Sequence, residues 1–117
     1  MRFALDVCRL IRRLPSWEPG PTVSRQLAKS STSVAFNYRA SCRARSHAEF
    51  TARIGTVAEE SDETLSWLEF IEAAQLIGGS ADLPSLTAEA RELLAIFSAS
   101  VGTARHRNRN PAPDTTT

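Results

Sequence analysis

Glycine and aromatic residues are scarce in this chain of 117 residues: Gly occurs five times, and Phe, Trp and Tyr together make up 7%. Few tight turns can therefore be built, and the frequent Ala and Leu point to an all-helical protein. No stretch reaches the roughly 18 uncharged apolar residues that a membrane-spanning helix needs. Charges run through Met1–Pro15, so it is no signal peptide, and the cytoplasm is the default compartment. Two cysteines, Cys8 and Cys42, lack C-x-x-C or Cys/His ligand spacing. Reduced thiols are expected rather than a disulfide or a zinc site.

Catalytic motifs are missing as well. There is no G-x-S-x-G elbow and no G-x-x-x-x-G-K-[ST] phosphate loop. His47 and His106 have no nucleophile and acid arranged around them. Glu-x-x-His pairs, which bring carboxylates and imidazoles together on a metal inside a helical bundle, do not occur. Glu59, Asp62 and Glu63 have i, i+3, i+4 spacing but lie away from the apolar series of their helix, as a solvated or interfacial acidic face does. The expectation is a protein without catalysis, cofactor, metal or small-molecule substrate.

What is present is helical periodicity. Phe3, Val7, Leu10 and Leu14 repeat at helical spacing before the P-S-W-E-P-G-P loop, which three prolines keep out of any helix. Pro21 suits a first helical position, and Val23, Leu27, Val34 and Tyr38 then share one face at about 100° per residue. Asn37 flanks that face and is expected to bond across helices. The Ser30–Ser33 run is poor in helix propensity, yet its small side chains let a neighbouring helix approach and its hydroxyls can bond the preceding turn.

Ser46-x-x-Glu49 before Phe50 is a capping box, the serine accepting from the Glu49 N–H and the glutamate returning to the serine's own N–H. The core series Phe50, Ile54, Val57, Ser61, Leu65 and Leu68 follows, and Gly78-Gly79 is read as the stop. That helix is near 30 residues, roughly 45 Å at 1.5 Å each, and serves as a spine. Asp82 or Ser85 can cap a last helix whose buried stripe is Leu86, Ala90, Leu93, Leu94, Phe97 and Val101. These readings give one domain over residues 1–105, with helices at about 2–14, 21–42, 47–76 and 85–104. The fold is an antiparallel up-down four-helix bundle, and residues 106–117 read as a disordered tail.

Net charge is +1, which hides a split: residues 1–45 hold nine Arg/Lys against two acids, and residues 46–104 hold two Arg against ten Asp/Glu. On helix 2, Arg25, Lys29, Phe36, Arg39 and Arg43 form a stripe opposite the core face, and Arg45 extends it past the helix end. Such a stripe can neutralise phosphates while Phe36 stacks on a base or fills a protein pocket. On helix 3, Glu59, Glu63, Trp67 and Phe70 lie behind the core series as an acidic, aromatic face. An exposed charged face is also what any soluble helix shows, and the split can equally join one subunit's basic face to another's acidic one.

Between Arg25 and Glu69 the chain carries Q-L, T-S-V, N-Y-R, C-R-A-R-S, A-E-F and E-E-S-D-E-T in order. This run resembles the bacterial four-helix bundle family that includes the 23S rRNA intervening-sequence protein, and it is similar to accessory proteins of diversity-generating retroelements. The likeness extends over about residues 2–104. It implies a homopentameric ring of antiparallel bundles, with a basic surface suited to RNA, DNA or a reverse transcriptase. The basic motif would fall at Arg25, Lys29, Arg39, Arg43 and Arg45, and the acidic motif at Glu59, Glu60, Asp62 and Glu63. The family pattern also implies further residues ahead of helix 1, which this sequence does not carry.

Overall fold

A computed structural model describes residues 1–79 and 82–109. Among these residues there are four helices and no strand: α1 (Arg2–Ile11), α2 (Gly20–Cys42), α3 (His47–Ala73) and α4 (Asp82–Arg109). α2 packs on α3, α3 on α4, and α1 on both α2 and α4, which is the ring order of an up-down bundle. The molecule is a rod of 62 × 20 × 19 Å.

The core divides into two parts along the rod. In the upper half all four helices contribute: Phe3, Val7 and Leu10 of α1, Val23 and Leu27 of α2, Leu65, Leu68 and Ile71 of α3, and Leu83, Leu86 and Ala90 of α4. The lower half is built from three helices, through Val34, Ile54, Val57, Phe97, Val101 and Ala104. A waist of small polar residues separates them, with Ser30, Ser31, Ser61 and Thr64 all buried, and Thr87 is buried higher up among the upper-core residues of α4. Each satisfies its hydroxyl locally: Ser30 and Ser31 donate to the carbonyls of Leu27 and Ala28, Ser61 to that of Val57, and Thr87 to that of Leu83. Thr64 Oγ1 adds a bond between helices, 2.9 Å from Ser30 Oγ. The Ser30–Ser33 run thus brings α2 against α3 while leaving no buried hydroxyl without a partner.

α1 has ten residues against 23 to 28 in the other helices, so it covers the upper half alone. Below Met1, a groove of about 620 Å³ runs between α2 and α4, lined by Val34, Tyr38, Phe50, Leu93, Ile96 and Phe97 among others. This corrects the placing of Tyr38 in the core. The residue does lie on the inner face of α2, but among the described residues no fourth helix covers it there, and it is 48% exposed. Its ring rests on Phe97 with centroids 5.6 Å apart.

Helix limits differ from the sequence-based ones at four places: α4 begins at Asp82 rather than at about residue 85, and three helix ends move. α1 ends at Ile11, and residues to Leu14 continue in tighter i to i+3 turns, with Arg13 N–H on the Leu10 carbonyl and Leu14 N–H on that of Ile11. α3 stops at Ala73 rather than at Gly78-Gly79. Leu76 N–H bonds the Ile71 carbonyl and Gln75 N–H bonds that of Glu72, with Gln75 at φ 52°. That pattern is a Schellman stop with glutamine where glycine is the usual residue. α4 runs to Arg109, so residues 106–109 are helical and not tail. Residues 110–117, also expected to be disordered, lie outside the described residues.

Two local interactions set chain entry points. Gly20 opens α2 because a Cβ there would meet the Pro15 carbonyl oxygen, so the proline-rich loop folds back onto a position that only glycine fits. Ser46 Oγ accepts from Glu49 N–H at 3.0 Å as expected. The Glu49 carboxylate, however, accepts from Arg45 N–H at 3.1 Å, one residue before the serine.

Leu68 is fully buried between α3 and its neighbours, and Leu68→Ala is expected to lower unfolding free energy by about 2–5 kcal/mol in urea titration. Gln75→Gly should act in the opposite direction, raising it by up to about 1 kcal/mol as the left-handed backbone is relieved of its side chain.

Candidate nucleic-acid interface

The charged residues singled out in the sequence are on the surface, but their neighbours divide them into two groups. Arg25 is exposed and donates to Thr22 Oγ1 at 3.4 Å, and Thr22 in turn donates to Glu18 Oε2 at 2.6 Å. Lys29 is also exposed and lies close enough to Glu60 for its charge to act on that carboxyl. The upper part of the stripe therefore stands beside acids of its own molecule.

Arg39, Arg43 and Arg45 have a different setting. All three are exposed, at the end of α2 and in the short turn leading to α3. The ion pairs found among the described residues are Arg9–Asp6 (2.9 Å), Arg13–Asp82 (3.6 Å) and Arg91–Glu69 (3.8 Å), and none involves these arginines. Phe36 sits one turn above Arg39 and is 60% exposed. Asn37 holds the adjacent edge: its Nδ2 donates to the Ser33 carbonyl, and its Oδ1 accepts from Arg53 of α3 at 3.4 Å. The expected bond across helices is thus made, together with one inside α2.

On α3, Glu59, Asp62, Glu63 and Phe70 are exposed. Trp67 corrects the reading of an outward-facing ring: it is half-buried and packs against the upper core, with Nε1 3.4 Å from Glu63 Oε1. It meets Phe70 edge-to-face with centroids 5.8 Å apart, so Phe70, at 43% exposure, is the ring that faces outward. Glu60 is half-buried behind this patch. Burial pushes its carboxyl above the usual glutamate range, and the charges of Glu63 and Glu59 push the same way against the pull of Lys29.

Sequence reading missed three arginines. Arg105, Arg107 and Arg109 were assigned at or beyond the end of helix 4, but they lie on the last turns of α4. The signal was there: no glycine or proline interrupts the chain between Gly102 and Pro111, and Val101 and Ala104 continue the buried stripe. The end of α4 is tied to α3, with His47 Nε2 3.1 Å from the Ala104 carbonyl and Asn108 Nδ2 donating to Thr51 Oγ1 at 3.3 Å.

Cys8 and Cys42 are free, and the Tyr38 hydroxyl is pushed up from its ordinary range by its hydrogen bond to Cys42. No group of three or more His, Cys, Asp or Glu side chains is placed to hold a metal among the described residues. Nor is any helix there long and apolar enough to cross a membrane.

No family model matches the chain, and neither does any curated protein. Among solved structures, the fold matches the crystal structure of a protein of unknown function from the S23 ribosomal protein family from Bacteroides thetaiotaomicron. The match has a TM-score of 0.75 and 24% sequence identity, covering 86% of this chain and 92% of that one. The four-helix bundle is therefore shared with that structure.

Glu60 provides a test of the acidic face. Its carboxyl titrates higher folded than unfolded, so ionising it weakens the folded state: stability falls as pH rises from the ordinary glutamate range through the raised one. Glu60→Gln should melt at a higher temperature than the parent at pH 7, and the difference should vanish in acid below the ordinary range.

Proposed function

We propose that this chain is a non-catalytic nucleic-acid-binding protein of the reverse-transcriptase-accessory kind, acting in the cytoplasm as a homo-oligomer. Arg39, Arg43 and Arg45 carry the reading, being exposed with no acidic partner in an ion pair among the described residues. Arginines so placed are available to phosphate oxygens, and their counterions are released when a polyanion binds. Phe36, exposed between Lys29 and Arg39, offers a ring on which a base can stack. The bundle shared with an S23 family protein supports kinship with the family that the sequence resembles. Through that resemblance the expected assembly is a pentameric ring.

A second reading has its own observation in favour. Phe70 is exposed beside Trp67 on the helix that also exposes Glu63 and Glu59, so the stripe can instead dock on this face of another subunit, and head-to-tail contacts of that kind close into rings. In that case the protein is a scaffold and binds no nucleic acid.

The double reversal Arg39→Glu/Arg43→Glu separates the two. If phosphates are contacted, the parent protein retains RNA or DNA in a way that weakens steeply with salt, and the variant loses that retention at unchanged mass in solution. If the stripe joins subunits, light scattering shows the variant as a monomer.

A further inference from the structure

We infer that the lower end of the bundle, where α2 and α4 finish, is the principal contact for a nucleic-acid backbone, with Arg105, Arg107 and Arg109 of α4 as part of it. The inference rests on the proposed nucleic-acid function and shifts its centre: the binding surface turns off α2 onto the end face and α4, instead of following one helix.

The end face brings together three chain segments that are distant in sequence. α2 supplies Arg39 and its C-cap Arg43, the turn Arg45, and α3 Arg53. The contacts of His47 with Ala104 and of Asn108 with Thr51 place the last turns of α4 on the same end. Residues 37–53 and 100–109 together hold seven arginines and a single carboxylate, Glu49, which is engaged by the Arg45 N–H. All seven arginines are exposed.

Helix dipoles account for only part of this charge. Cations are favoured in the last turns of α2 and α4, where carbonyls are unpaired. At the start of α3 the dipole favours anions instead, yet Arg45 stands just ahead of that end. Arg53 lies beyond the first turn, where the dipole effect has faded. The rod is about 20 Å across, so a polyanion laid on this end meets these charges together, each acting on the phosphates within roughly one Debye length, about 10 Å at 0.1 M salt. By contrast, Arg25 and Lys29 higher on α2 share their surroundings with Glu18 and Glu60. A phosphodiester backbone therefore meets the strongest uncompensated positive field at the end, not along the middle of α2.

The test measures salt-dependent binding of fluorescent 20-nucleotide RNA and DNA, single-stranded and duplex, by anisotropy. It compares the full chain with the triple variant Arg105→Gln/Arg107→Gln/Arg109→Gln. A control triple, Arg9→Gln/Arg12→Gln/Arg13→Gln, removes the same charge from the other end, where Arg13 meets Asp82. Circular dichroism and melting temperature check that each variant is folded. The slope of log K against log salt is expected to fall by about two to three units in the α4 variant, from about 0.7 to 0.9 per lost phosphate contact. The control should keep the parent slope, and lysine at the three α4 positions should restore it. Unchanged slope in the α4 variant, while Arg39→Glu/Arg43→Glu abolishes binding, overturns this inference and leaves the nucleic-acid function standing. An equal loss in the control triple also overturns it, by showing an effect of net charge. If the parent chain binds none of the four probes, both readings fall.

Discussion

Burial of one apolar stripe of α3 between α2 and α4 holds this molecule together. Ile54 and Val57 lie in the lower core and Leu65, Leu68 and Ile71 in the upper one, so α3, like α2 and α4, runs through both cores, and it packs on each of those two helices. The close approach depends on the waist, where Ser30, Ser31, Ser61 and Thr64 replace large side chains. Apolar burial in the two cores supplies the attraction. The waist costs little of it because every hydroxyl there finds an acceptor within its own helix or, for Thr64, on α2.

The helices were legible because their buried residues recur at helical spacing, a pattern that survives whatever the helices pack against. Val23, Leu27, Ile54, Val57 and Leu68 are buried as the spacing implies. Periodicity says which side of a helix faces inward, but not whether another helix is there to meet it. Tyr38 shows the difference: its side is right, and its exposure follows from α1 lying wholly above it. The end of α3 was misplaced because Gln75 adopts the left-handed conformation normally marked in sequence by glycine. The end of α4 was misplaced because a run of arginine, histidine and asparagine has the composition of a tail, although nothing in it breaks a helix.

The candidate surface was legible to the same degree and for the same reason. Spacing placed Arg25, Lys29, Arg39 and Arg43 on the outer face of α2, and they are exposed there. What spacing could not supply is the set of neighbours across helices. Glu60 from α3 beside Lys29, and the Thr22–Glu18 link of Arg25, are properties of packing and of a loop, so the stripe loses its uniformity only in three dimensions. The meeting of Arg43, Arg53 and Arg107 at one end likewise needs the direction and length of every helix.

The short α1 also sets how motion is distributed along the rod. With three helices below the waist and four above it, the ends of α2 and α4 have fewer apolar contacts to lose when they separate from α3, and local opening has a lower free energy there. Backbone amides of α2 after Val34 should therefore exchange with solvent sooner than those around Leu27. The arginine-rich end is thus also the more yielding one, while the four-helix half stays rigid.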